Sequence, residues 1–204
     1  MRFVHAALFA LLLSASPALA RPVASVEVPE TLSFEGKTLK LNGAGIRKKV
    51  VVKVYVGALY LEETTQNGDA IIKSDAVRVV KLTFLRSVEK DKLIGAFKEG
   101  FEKNSADKAA AFAAHLEKLA AVLTDAKEGS VMTVAYVPGK GTQIGMQGGG
   151  SVTIEGSNST TTTHGHRFVS AGILALFKPC GFCSDNATAF AKRHGHYIFS
   201  APYD

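Results

Sequence analysis

Residues Asn42–Glu62 read NGAGIRKKVVVKVYVGALYLE, and the fold turns on how this stretch is read. Val50 to Leu61 forms an apolar, largely β-branched run interrupted only by Lys53 and Gly57. That is too apolar for a strand with one wet face, so the run is expected in the middle of a sheet covered on both sides. Ahead of it, Gly43 and Gly45 give the backbone access to φ above zero, and a tight turn is expected there. Arg47 then stands where the buried strand begins. A fixed cation beside an apolar interior suits an apolar ligand with one anionic end. Arg47 also reads as a solvated turn residue like its neighbours Lys48 and Lys49, and spacing alone leaves both readings open.

The first twenty residues, MRFVHAALFALLLSASPALA, have the form of a secretory signal: Arg2, the apolar core Ala6–Leu13, and the small-x-small site Ala18-Leu19-Ala20. Cleavage near Ala20 would start the mature chain at Arg21 and send it to the periplasm or outside the cell. The apolar core is too short to span a bilayer, and nothing later approaches the ~20 apolar residues a span needs. From Arg21 on, the chain has the length of one domain, and a hydrophobic content of 47% supports a packed globule. The net charge of +6 is interspersed, as at Lys48-Lys49 and Lys90–Lys92, with no aromatic-interleaved basic patch. Nucleic acid is therefore not an expected partner, and no cofactor is expected.

Along the chain, Val26–Val28, Leu32–Phe34 and Thr38–Leu41 read as short strands, the last after a Glu35-Gly36-Lys37 turn. Thr64–Asp69 reads as loop and Ala70–Lys73 as a short helical piece. Val77–Leu85 is a strand with Val80, Leu82 and Phe84 on one face and Arg78 and Arg86 at its ends. Two helices come next. Ser87 is expected to cap the first, whose stripe is Leu93, Ile94, Phe97 and Phe101; Ser105 is expected to cap the second, with Phe112, Leu116, Leu119 and Leu123. Strands resume at Ser130–Val137, Gly141–Met146 and Ser151–Ile154, and Arg167–Phe177 reads as a last apolar helix. Strands, then helices, then strands indicate an α+β fold: a large, mainly antiparallel sheet with helices layered on one face.

The segment Gly43–Glu62 resembles the chalcone isomerase-like family, and its exported bacterial members above all. The carriers are Gly43-Ala44-Gly45 before Arg47, Tyr60-Leu61-Glu62 at the strand's end, Pro29–Leu32, Leu82–Arg86 and the Pro138–Thr142 turn. In order and spacing the likeness runs from Val26 to Ile154, and on to Phe177, giving a domain of residues 21–177 with a divergent tail at 178–204. The resemblance implies an open-faced sandwich enclosing a cleft. Plant members close a ring in a chalcone, and fatty-acid-binding relatives hold a long-chain carboxylate in the same cleft. Both use the arginine as anion partner by charge-assisted hydrogen bonding.

Carried over residue by residue, Arg47 matches outright. The strand threonine of the plant enzymes falls near Tyr55, which still offers a hydroxyl. Their first cleft helix bears a tyrosine and an asparagine. The corresponding helix here, Val88–Lys103, has no tyrosine, and its nearest asparagine is Asn104. Their last threonine falls near Ala175. One arginine over an apolar cavity is enough to hold a carboxylate, but enolate stabilisation requires further donors. The expectation is therefore a non-catalytic binder of a fatty acid or similar amphiphile, with Arg47 and Tyr55 as ligand residues. The alternatives are an intramolecular lyase of the chalcone isomerase type, or a structural envelope protein with a collapsed cleft.

The tail departs from the family. It holds Cys180, Cys183, His194 and His196, spaced for three readings: a zinc set, a local disulfide or redox pair in an oxidising compartment, or an altered end without function. The polar run Ser157–Thr163 reads as a linker.

Overall fold

A computed structural model of the protein describes residues 20–49, 51–67, 70–71, 74–105, 109–155 and 197–200, with the backbone alone at 100–105, 109–114 and 197–200. The strands are β1 (Ala20–Val23), β2 (Val26–Pro29), β3 (Thr31–Phe34), β4 (Lys37–Lys49), β5 (Val52–Leu61) and β6 (Arg78–Phe84). Helices α1 (Lys90–Ser105) and α2 (Ala109–Val122) come next, then β7 (Val131–Val137), β8 (Gly141–Met146), β9 (Ser151–Ile154) and β10 (Tyr197–Ser200). β1 and β2 form a separate antiparallel hairpin. The main sheet runs β10-β4-β5-β6-β7-β8-β9, with β3 also paired to β4. All its pairings are antiparallel except β10 on β4. This is the expected α+β architecture, with β5 an inner strand.

Period-2 alternation sorts the side chains onto two faces. Val80, Leu82 and Phe84 of β6, Met132 and Val134 of β7, and Ile144 of β8 pack with Leu93 of α1 and with Leu119 and Leu123 around the end of α2. On the other face Val56, Ala58 and Tyr60 of β5, Val79 of β6, and Ala135 and Val137 of β7 are covered by Val23 and Val28 of the first hairpin. The Tyr60 hydroxyl donates to the Pro29 carbonyl at 3.0 Å and ties that hairpin down. Helices therefore cover one face and a small strand layer covers the other. Each fully buried side chain of this kind contributes about 1.5–3 kcal/mol.

The opening stretch departs from expectation in its turn. Gly43 and Gly45 do not turn: neither has a positive φ, and both lie within β4. Gly45 pairs with Gly57 and Gly43 with Leu59, so ladder hydrogen bonds hold an extended backbone where local propensity favours a bend. The reversal instead lies between Lys49 and Val52, and its surface is wet: Val51 is 83% exposed and Val52 40%. The tight positive-φ turn is at Glu35 (φ 49°) and Gly36 (φ 72°), between β3 and β4. Two positive φ values in a two-residue connection match the twist of the strands they join.

The β4–β5 ladder also slips twice. Asn42 is extra between the Leu41 and Gly43 pairings, and its Oδ1 accepts a hydrogen bond from the Thr65 N–H at 2.8 Å. Val54 is extra on β5, between Lys53, which pairs Lys48, and Tyr55, which pairs Arg47.

The helix starts differ from expectation. α1 begins at Lys90, three residues beyond Ser87, and its first N–H donates to Asp125 Oδ1 at 2.8 Å. Ser105 is the last residue of α1 and α2 starts at Ala109; the Ser105 side chain, and with it the expected cap, lies outside what is described. The signal-like residues 1–19, the Ser157–Thr163 run, the Arg167–Phe177 helix, and Cys180, Cys183, His194 and His196 lie outside the described residues. Among the described residues, no helix is long and apolar enough to cross a membrane.

Candidate ligand cleft

A cavity of about 890 Å³ lies between α1 and the end of the sheet where β5 begins and β6 ends. Its floor is Tyr55, Leu82, Phe84 and Met132, and its wall is Leu93 and Phe97 of α1, with Val88 and Ala126 closing one side. The mouth carries five cations (Arg47, Lys49, Arg86, Lys92 and Lys127) and three acids (Glu89, Glu99 and Asp125). Two ties fix the wall. Val88 and Ala126 exchange backbone hydrogen bonds of 2.8 and 2.9 Å, and Asp125 caps the first turn of α1.

Arg47 and Tyr55 meet across the ladder. They are direct partners on β4 and β5, so their side chains share the helix-covered face, and both are partly buried. The next pair inward on that face is Gly45 and Gly57, which places no side chain beside them. Tyr55 is held by Phe84, with the rings edge to face at 6.0 Å and 74°. Burial pushes its hydroxyl up to about 12, against the opposing pull of the Arg47 charge. At neutral pH the pair is thus a permanent cation and a neutral O–H donor at the mouth of an apolar cavity. Both groups favour a carboxylate oxygen.

A second charged cluster stands at the far end of the same face. The sequence marks Arg78 only as a strand end, yet it is 5% exposed. Its Nη1 donates to the carbonyls of Ile71 and Ser74 and to Ser74 Oγ, and the guanidinium lies 4.5 Å over the Tyr136 ring. The Tyr136 hydroxyl donates to Asp75. Burial lowers the pKa of Arg78, while Tyr136 and Asp75 act to hold its charge. Arg78 and Phe84 are the two ends of β6, roughly 20 Å apart at strand rise. The cluster clamps the segment before β6 onto the sheet and does not line the cleft. The one hint in the sequence is an arginine among valines in a core strand.

Among the described residues, no group of three or more histidine, cysteine or acidic side chains is placed to hold a metal. A family model described as chalcone isomerase-like matches residues 20–162, well over half of the chain. The chain belongs to the chalcone isomerase-like family. No curated protein matches it in sequence. Among solved structures, it is similar to a fatty-acid binding protein of Arabidopsis thaliana at 13% identity and a TM-score of 0.56, over 78% of this chain and 87% of that one. At that identity the likeness speaks for the fold. Within the chalcone isomerase-like frame, α1 contributes no tyrosine to the cleft, and among the described residues the hydroxyls lining it are those of Tyr55 and Ser87. Asn104 sits in the last turn of α1, where only the backbone is described, and Ala175 lies outside the described residues.

Proposed function

We propose that this chalcone isomerase-like protein is exported and binds a fatty acid or similar apolar carboxylate without transforming it. One observation carries the reading: an 890 Å³ cavity with an apolar floor opens onto Arg47 with the neutral hydroxyl of Tyr55 beside it. Cavities of about 300–1,000 Å³ with few polar groups are typical of small-ligand sites. The carboxylate would take charge-assisted hydrogen bonds from Arg47 and the Tyr55 hydroxyl, and the alkyl chain would lie over Phe84, Leu82 and Met132. The fatty-acid binding relative in fold is consistent with this ligand class. Ring closure needs donors at a second oxygen, far from the arginine, and α1 brings no tyrosine to the cleft. The structural-protein alternative expects a closed cleft.

The test is a pair of ligands. Delipidated protein is titrated with a long-chain acid and with the alcohol of equal length, and Arg47→Ala is run alongside. Acid is expected to bind at least about 10- to 150-fold tighter than alcohol, the value of one charge-assisted hydrogen bond, and Arg47→Ala to reduce the difference by about that factor. Equal binding of acid and alcohol, or no binding, overturns the reading. Export is tested separately, by the N-terminal sequence of the chain recovered from the periplasm or medium, with Arg21 expected first.

A further inference from the structure

The β4–β5 hairpin tip combines three features. Val51 and Val52 are the exposed large hydrophobic side chains among the described residues. The sequence around them, Arg47-Lys48-Lys49-Val50-Val51-Val52-Lys53, has four cations, and no acid occurs between Leu41 and Tyr60. None of the ion pairs found among the described residues involves Lys48, Lys49 or Lys53. The third feature is position: Lys49, Val52 and Val54 form the lip of the cleft, next to Arg47.

We propose that this tip docks the protein on an anionic lipid bilayer and sets the cleft mouth against the membrane surface. Valines at the apex, flanked by lysines, match a headgroup layer in which apolar side chains enter the acyl boundary and ammonium groups meet lipid phosphates. The occupant is set by charge. Cations outnumber acids around the mouth, with Arg86 and Lys127 adding to the tip, so the surface met must be negative. Lys49, on the same side of the ladder as Arg47, stands at the lip where an acid leaving the bilayer would enter. This inference rests on the amphiphile-binding reading for its purpose, but the docking is a separate property with a separate readout.

The mature chain is sedimented with vesicles of phosphatidylcholine alone and of phosphatidylcholine mixed with phosphatidylglycerol. Binding is expected for the mixed vesicles only, and it should weaken as salt is raised. Val51→Asp is expected to weaken partitioning by about tenfold or more, the value of one valine's burial. Lys53→Glu should weaken it by about fivefold per unit of charge. Neither residue lines the cleft, so both variants should keep wild-type melting temperatures and wild-type acid affinity in vesicle-free solution. Binding to neutral and anionic vesicles alike, or a Val51→Asp variant that partitions as wild type, overturns the proposal. So does a vesicle-indifferent dimer that Val51→Asp converts to monomer, since the tip would then serve a second copy. Loss of acid binding in solution with vesicle docking intact would instead count against the ligand reading alone.

Discussion

Replacing Tyr55 with phenylalanine isolates the hydroxyl from the ring. The edge-to-face contact with Phe84, at 6.0 Å and 74°, is made by the ring and survives the change. Stability should therefore stay within about 1 kcal/mol of wild type, since only a partly buried hydroxyl is lost. Acid affinity should not stay. A hydrogen bond to a charged carboxylate is worth about 1.5–3 kcal/mol, so Tyr55→Phe should weaken acid binding by roughly 10- to 150-fold. It should leave alcohol binding nearly unchanged.

The pH profile is a second readout. Burial pushes the hydroxyl up to about 12, so it remains a donor from neutral pH to about pH 10. Acid affinity should be flat from about pH 6 to pH 10. Titration calorimetry with Tyr55→Phe, Arg47→Met and the double variant gives the coupling directly. Partners on one carboxylate should couple by about 0.5–3 kcal/mol. A Tyr55→Phe variant that binds acid as wild type does, or that loses alcohol and acid equally, refutes the shared-carboxylate geometry.

Alkali should unfold the protein unusually steeply. Tyr55, Tyr60 and Tyr136 are each pushed to about 12 from an ordinary 10. Below about pH 10 both states keep these protons; from there to about 12 the unfolded chain loses them first, so stability falls as pH rises, by up to about 1.4 kcal/mol per pH unit per tyrosine. Melting temperature measured from about pH 9 to pH 12 checks this, and a flat profile at the upper end refutes it. Arg78→Ala should cost about 1–3 kcal/mol in a urea titration, since it strips the buried Ile71 carbonyl of its donor. A loss below about 1 kcal/mol would mean the clamp is dispensable.

Much of the sheet is legible in the sequence because its signal is local. Val80, Leu82 and Phe84 alternate with polar or opposite-face residues along one short strand, and the register places all three against the helices. The features that escape depend on partners distant in sequence. Gly43 and Gly45 carry a turn signal by themselves, and only the ladder to Gly57 and Leu59 makes them strand. Ser87 is a sound cap by type, but the group that caps α1 is Asp125, thirty-five residues beyond Lys90. Arg78 reads as a strand-end charge until Ile71, Ser74 and Tyr136 close around it. The cleft is legible at Arg47 through the family resemblance. Its wall is only partly so, because Leu93 and Phe97 read equally well as plain core.

The extra residue Val54 has a consequence for parity. Along a regular strand each residue reverses the side that the next one faces. Counting back from Tyr55 without interruption would put Lys53 on the cleft side and turn Val52 away. The ladder does the opposite: Lys53 pairs with Lys48 on the far side, and Val52 pairs with Lys49 on the side of Arg47, at the cleft lip. A regular ladder built from the same residues would thus exchange an apolar gatepost for a charged one, with Arg47 and Tyr55 left as they are. Deleting Val54 alone would keep both side chains where they are, because the bulge and the extra step leave together. The choice of valine over lysine at that one gatepost is therefore stored in the phase of a backbone, one residue out of step with its partner strand.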